Sequence, residues 1–435
     1  MNAALVFCAF LFGFAPQGAP PAMQAPNAPM KDEKIVDIRV HGNHLTSDAD
    51  VIRLSGLTKG EPFTATTVAD ATKRLKQTGK FDDVDVLKRF ASIDDVSQIV
   101  VMIVVNEGPV KIEMPDVNMP DARPKLVRRG FGSRFMYMPI VDAEDGYGWR
   151  YGLRVALAKP VGKNSRLSFP FTWGGERRAG AELERAFANG RLQFGGALTS
   201  RENPFYKVRD DRRTAWTRAE VSAGRLHFGA TGTINHIVFD AADPVVKVEE
   251  TVKSVGADVV IDSRLDPLLP RNAVYVKGSV EQLFAEIRTG TGALYRTKID
   301  ANGYLGLMRQ TVLALRVVRE DASEKMSPYF KSTLGGTANL RGFHAAEFVG
   351  DSLVAGSAEL RVPMSSPMDV GKVGLRLFAD AGTVYDKGQR YKDQTLKQGY
   401  GAGVFLSMPV FILNLDVAHG KGSGTHVYFG GGFSF

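Results

Sequence analysis

The chain has 435 residues, a net charge of +8 and a single cysteine, Cys8, near its N-terminal end. Disulfides and cysteine-based metal or thiol chemistry are therefore excluded from the rest of the sequence. After residue 15 no apolar run approaches the roughly 20 residues of a membrane-spanning helix, the longest there being the strand-sized 99–105, so any membrane crossing by that part must be made by a closed β-barrel.

Residues 3–15 form a short apolar run rich in Phe and Ala, followed by a Pro/Ala-rich stretch to Met30. Residues 1–30 thus look like a signal peptide leading into a flexible N-terminus, which predicts export. Lys and Arg are scattered singly along strand-like segments without a basic run. Nucleic acid is not an expected partner, and the positive balance suits a wet lumen and loops.

Residues 34–108 read as β-α-α-β-β. Ile35, Ile38 and Val40 alternate up to a Gly42-Asn43 turn, and Ser47 with Asp50 forms a capping pair for a short helix. Val68, Ala71, Thr72 and Leu75 recur at helical spacing, with Gly79 as the stop. Two strands, 81–89 and 98–106, complete the module. The runs Thr78-Gly79-Lys80-Phe81-Asp82-Asp83-Val84 and Val105-Asn106-Glu107-Gly108-Pro109 resemble a POTRA domain, the periplasmic module of BamA/TamA-type outer-membrane barrels. A three-stranded sheet under two helices leaves an edge that can accept an extended client.

A Pro-rich linker, 109–130, leads into repeated ten-residue alternation over 131–435. Trp149, Tyr151, Leu153 and Val155 share one face, and Arg150, Gly152 and Arg154 the other; Val274, Val276 and Val280 oppose Lys277, Ser279 and Glu281. This is the period of a strand with lipid outside and a polar lumen inside. Strand starts fall near 131, 148, 164, 178, 190, 214, 225, 250, 272, 292, 309, 352, 372, 399, 410 and 425. The predicted fold is an α+β POTRA module followed by an all-β, 16-stranded antiparallel transmembrane barrel. The final strand alternates Val427, Phe429, Phe433 and Phe435 with His426, Tyr428 and Ser434, resembling the C-terminal signal of bacterial outer-membrane proteins.

A long loop, 319–350, interrupts the pattern, and within it 334–349 is too irregular for helix or strand. Its Leu340-Arg341-Gly342-Phe343 matches the signature loop of the BamA/TamA superfamily. Asp262-Ser263-Arg264-Leu265-Asp266-Pro267 with Pro270-Arg271 resembles another family segment, although Asn272 stands where Gly is usual. Leu377-Phe378-Ala379-Asp380-Ala381-Gly382 resembles the family's Asp-x-Gly strand, and 399–418 its penultimate hairpin.

No catalytic arrangement is visible. The seven histidines are scattered without metal-like spacing, and the pairs Asp94-Asp95 and Asp210-Asp211 read as solvated loop charge. No cofactor and no metal are expected. By parity Glu359, Arg361, Arg376, Asp380, Asn414 and Asp416 share the polar face. A charged Arg341 turned into the lumen needs a carboxylate partner; the resemblance points first to Asp380, then to Glu359 and Asp416.

The resemblance implies a non-enzymatic function in the bacterial outer membrane, with the POTRA domain in the periplasm. Unfolded outer-membrane or secreted proteins would meet the POTRA edge and pass to the seam between strands one and sixteen, where Phe131, Phe433 and Phe435 lie. Its partners would include the lipid bilayer and periplasmic chaperones or accessory lipoproteins. The alternatives are a dedicated two-partner-type secretion transporter and a passive channel or anchor.

Overall fold

The computed structural model describes residues 33–433 except 65, 82, 92–94, 108–109, 114–124, 129–134, 145, 163, 188, 241–246, 267–268, 286–292, 366–370 and 409–410. The signal-peptide-like N-terminus, most of the linker, Phe131 and Phe435 lie outside the described residues, and Phe433 enters as a backbone position alone.

The N-terminal module comprises β1 (Lys34–His41), α1 (Asp48–Ser55), α2 (Thr67–Gln77), β2 (Asp83–Phe90) and β3 (Gln98–Asn106). Ser47 caps α1 by accepting from the Asp50 N–H at 3.2 Å. The apolar strand β3 sits in the middle of the sheet, parallel to β1 and antiparallel to β2. Its Ile99, Val101, Ile103 and Val105 pack with Val51, Ala71 and Leu75 of the helices into one buried core. Gly42 has φ +82°, and a Cβ there would stand 2.0 Å from the Val105 carbonyl oxygen, so only glycine fits this turn. Nearby, the buried Glu107 carboxylate accepts the main-chain N–H groups of His44 (2.6 Å) and Thr46 (3.0 Å), and also that of Leu45.

A short antiparallel pair, β4 (Val110–Glu113) and β5 (Lys125–Arg128), precedes the barrel. The wall begins with β6 (Phe135–Glu144), β7 (Gly148–Ala158), β8 (Ser165–Gly174), β9 (Glu176–Phe187), β10 (Gly190–Glu202) and β11 (Arg209–Ala223). It continues with β12 (Leu226–Phe239), β13 (Val248–Asp262), β14 (Ala273–Phe284), β15 (Leu294–Gly306) and β16 (Val312–Ala322). After β17 (Ser332–Leu334) and β18 (Phe348–Gly350), which pair with each other inside the loop, come β19 (Ser352–Ser365), β20 (Lys372–Tyr385), β21 (Lys397–Ser407), β22 (Phe411–Gly420) and β23 (Gly424–Phe433). The sixteen strands other than β1–β5, β17 and β18 form one closed antiparallel ring.

Neighbouring strands share ladders of six register pairs (β8–β9) to fourteen (β11–β12). The closing contact between β23 and β6 is thinner, with one pair, Gly431–Ala143, among the described residues. Apolar side chains such as Tyr151, Leu198, Leu377 and Val427 stand exposed on the outer face. Inside, ion pairs such as Arg218–Asp258 and Arg316–Asp300 line the lumen, as a lipid-embedded barrel requires.

Four expectations need correction. The loop was expected from 319, but β16 runs to Ala322, because Arg319 and Asp321 point outward together and pair at 2.6 Å, which keeps a polar strand end regular. Within the loop, β17 and β18 form a small hairpin, preceded by a 3-10 turn at Pro328–Phe330; three-residue strands carry too little alternation to be read. β11 was expected near 214 but begins at Arg209, since its charged first rows stay in the ladder. Asp210, expected in a solvated turn, is buried in β11, where both its oxygens accept from Arg212 at 2.8 and 2.7 Å.

The module is tied to the barrel. Arg89 of β2 and Asp266 of the β13–β14 turn form an ion pair at 2.6 Å with both side chains buried, and Leu265 packs against the module's core. In the same turn Asn272 has φ +48°, a conformation that asparagine tolerates in place of glycine. Its side-chain oxygen accepts the Gly306 N–H at 2.8 Å.

Candidate functional site

The loop between β16 and β19 starts at the barrel end remote from the N-terminal module and folds back inside. Two apolar contacts hold it. Tyr329 is buried against Ile237, Phe239, Val252, Leu283 and Leu294 of β12–β15. Deeper in, Leu334, Leu340 and Phe343 pack against Val318, Leu353 and Ala355. Leu334 and Leu340 are fully buried and Phe343 nearly so. They anchor the turn that carries Arg341.

Arg341 lies between Leu340 and Gly342, and its guanidinium reaches the wall formed by β19 and β20. Its Nε donates to Asp380 Oδ2 at 2.8 Å and its Nη2 to Asp380 Oδ1 at 2.9 Å, a two-pronged fork. The backbone N–H of Arg341 also donates to Asp380 Oδ2 at 3.0 Å. Nη1 donates to Glu359 Oε2 at 2.7 Å, and Nη2 to the Ser357 hydroxyl at 3.1 Å. Ser357 in turn donates to Asp380 Oδ1 at 2.6 Å. The guanidinium carbon stands 3.5 Å from the centroid of the Phe378 ring, so the cation is also stacked on an aromatic face.

The carboxylates expected as partners thus divide their roles. Asp380 and Glu359 bind Arg341 directly. Asp416 stays 3.9 Å from it and instead accepts two hydrogen bonds from Arg376. Arg361 donates to Glu359 at 2.8 Å. Three arginines (341, 361, 376) therefore face three carboxylates (359, 380, 416). This balance leaves no buried charge of the set without an opposite partner, and removing one member would strand a charge in the wall.

Glycines set how close the loop lies to the wall. Gly342 has φ +93°, and a Cβ there would meet the backbone of Gly420 at 2.5 Å. Conversely, a Cβ on Gly399 would stand 1.9 Å from the Arg341 carbonyl oxygen, and one on Gly420 would stand 2.0 Å from that of Gly342. The loop backbone thus rests on the backbones of β21 and β22. Tyr428 of β23 completes the clasp, its hydroxyl accepting from the Gly342 N–H at 2.9 Å and donating to the Phe343 carbonyl at 2.7 Å.

Sequence reasoning singled out Arg341, Gly342, Phe343, Asp380, Glu359 and Asp416, and the structure brings all six together. It missed Ser357, Phe378 and Tyr428 as contacts. Parity does place them on the lumen face, since Ser357 faces Asp380 in the ladder and Tyr428 faces Asp416. Of the expected seam residues, Phe433 closes the β22–β23 ladder opposite Phe411. A cavity of about 190 Å³ lies beside Arg341, lined in part by Tyr304, Arg316, Thr337 and Arg361.

The chain matches the Omp85 superfamily domain over residues 142–435 and a POTRA domain (surface antigen variable number repeat) over residues 33–108. It is 22% identical over 431 residues to the outer membrane protein assembly factor BamA of Neorickettsia risticii, covering 90% of this chain and 54% of that protein. It therefore spans about half the length of this curated relative. Its fold is similar to that of Haemophilus ducreyi BamA lacking POTRA domains 1–3 (TM-score 0.59, 14% identity, 92% of this chain and 84% of that one). CdiB of Acinetobacter baumannii is also similar (TM-score 0.52, 12% identity, 93% and 74%). With its POTRA module, its ring of sixteen strands and the domain match over most of its length, the chain belongs to the Omp85 superfamily, an outer-membrane β-barrel whose POTRA domain stands on the periplasmic side.

Proposed function

We propose that this chain inserts or translocates proteins at the outer membrane without a catalytic step, guiding unfolded β-strand clients from the POTRA edge to the seam between β6 and β23. The observation that carries the reading is the thin closure of the ring. One register pair joins β23 to β6 among the described residues, against six to fourteen elsewhere. A weakly paired seam can part and offer main-chain hydrogen bonds to an incoming strand.

Further support comes from the POTRA sheet. The outer edge of β1 is occupied near its start, where residues 33 and 35 exchange backbone hydrogen bonds with 60, 61 and 63. The outer edge of β2 carries no such partner among the described residues, which leaves it as the strand for a client to join. In this reading Arg341 tethers the loop to the β19–β20 wall, a few strands from the seam, and unfolded outer-membrane proteins, together with periplasmic chaperones or accessory lipoproteins, are the partners.

Depletion of the protein followed by measurement of outer-membrane porin levels tests the proposal. A fall in several porins is the expected result. Unchanged porins with the loss of one secreted protein would replace insertion by dedicated secretion, and a large ungated conductance in planar bilayers would replace both by a passive pore.

A further inference from the structure

The outer face of the barrel is not uniform at its extracellular end. Around much of the ring the outward positions there are aromatic, including Trp149, Tyr151, Trp173, Tyr295 and Tyr400, all exposed. Over β9–β13 they are instead charged. Arg177 faces Ser200, which faces Asp211; one outward row below, Arg213 faces His236, which faces Thr251. Lys253 follows on β13, opposite Ile234.

These rows lie beyond the span that lipid needs. β11 and β13 have 15 residues each and β12 has 14, whereas about 9–11 tilted residues cross the hydrocarbon. β11 enters from the extracellular end at Arg209, so Arg209, Asp211 and Arg213 occupy its first outward positions. Deeper outward positions turn apolar, with Ala215, Ala219 and Val221 on β11 and Val255, Val259 and Ile261 on β13. The charges therefore stand at the depth of the lipid head groups.

The patch carries uncompensated positive charge. Four cations (Arg177, Arg209, Arg213, Lys253) meet three carboxylates, Asp211, Glu249 and Glu202, the last opposite Arg209 in the ladder. Arg209 is taken up by Asp211 at 2.9 Å and by Ser200 at 3.2 Å, and Glu249 lies 3.5 Å from His236. Arg177, Arg213 and Lys253 are exposed and form no ion pair among the described residues. The outward Arg319, in contrast, is neutralised by Asp321. Each neighbouring pair of these cations, Arg177 with Arg213 and Arg213 with Lys253, stands two strands and two residues apart, about 12 Å, a spacing that meets the phosphates of adjacent head groups in the layer.

We propose that this face binds the phosphate groups of outer-leaflet lipids, holding the β9–β13 side of the barrel against an anionic head-group layer. Arginine forks suit phosphate oxygens, and basic side chains at an anionic membrane surface add binding cumulatively.

The test uses the full chain reconstituted in phosphatidylcholine bilayers doped with a phosphorylated acyl-glycolipid or its dephosphorylated counterpart, with co-purifying lipid quantified by mass spectrometry. Wild type should enrich the phosphorylated lipid only, and excess inorganic phosphate should leave the enrichment in place. The R177Q/R213Q/K253Q variant should lose roughly tenfold or more of it, while R319Q should match wild type. If the triple variant fails to show heat-modifiable migration, R213Q and K253Q alone should each lower enrichment a few-fold. Equal retention by the folded variants, or equal enrichment of the dephosphorylated lipid, overturns the proposal.

Discussion

Arg341 holds both carboxylate oxygens of Asp380, at 2.8 and 2.9 Å, across a sequence separation of 39 residues. The pair is buried and Glu359 is buried beside it, so its value lies less in the attraction than in what its loss would leave behind. Two carboxylates without their central cation would face a lumen wall already packed around them.

Arg341→Ala should therefore destabilise the barrel by about 3–5 kcal/mol, the usual consequence of breaking a buried pair. Heat-modifiable migration on a gel should shift to lower temperature. Arg341→Lys keeps the charge without the fork and should fall between the two. A wild-type transition for the alanine variant would contradict the tether.

Gly420→Ala places a methyl group 2.0 Å from the Gly342 carbonyl oxygen and 2.9 Å from the Phe343 ring. The loop must lift, at about 1–3 kcal/mol, and its 334–349 segment should become open to added protease. Gly430→Ala meets nothing within 4 Å and should stay resistant. Equal resistance of both variants would argue against backbone contact.

Glu107 gives the POTRA module an acid dependence. Burial alone would raise its pKa, but the hydrogen bonds from the Thr46 side chain and the Leu45, His44 and Thr46 main chain outweigh it and hold the group below the usual carboxylate range. Its stabilisation is complete above the unfolded value near 4.5 and disappears as the pH falls through the lower folded value. Proteolysis of the module between pH 6 and 3 should show this loss, and Glu107→Gln should flatten that part of the profile. An unchanged profile would remove Glu107 from the account.

Asp266→Ala leaves Arg89 buried at the junction without its counter-charge. Burial already lowers the Arg89 pKa, and Asp266 opposes that shift. The module should loosen from the barrel, read as faster cleavage between residues 108 and 134. Replacing both with leucine should restore part of the protection, because no lone charge then remains. Cleavage at the wild-type rate in Asp266→Ala would dismiss the pair as a clamp.

Much of this was legible in the sequence because a strand's two-residue period assigns every side chain to lipid or lumen. That parity placed Glu359, Asp380 and Asp416 on the face toward which Arg341 turns. Parity does not give the stagger between strands, however, so it could not tell that Asp416 belongs to Arg376 or that Tyr428 reaches the loop backbone. Arg89 and Asp266 were equally hidden. Each is an ordinary charge in its own segment, and only the docking of one module on another makes them partners.

The loop touches the wall at two distant places. Arg212 of β11 donates to the Tyr329 carbonyl at 2.9 Å, and the Gly342 N–H meets Tyr428 of β23. It therefore lies as a chord across the arc from β11 to β23, and a braced arc resists changes of curvature. The compliance of the ring is left to the five strands β6–β10, which the chord does not subtend. Spin-label distances across β7–β10 should accordingly vary more than those across β12–β22, and equal spreads would mean the chord carries no tension. A ring stiffened over most of its circumference deforms next to its own seam.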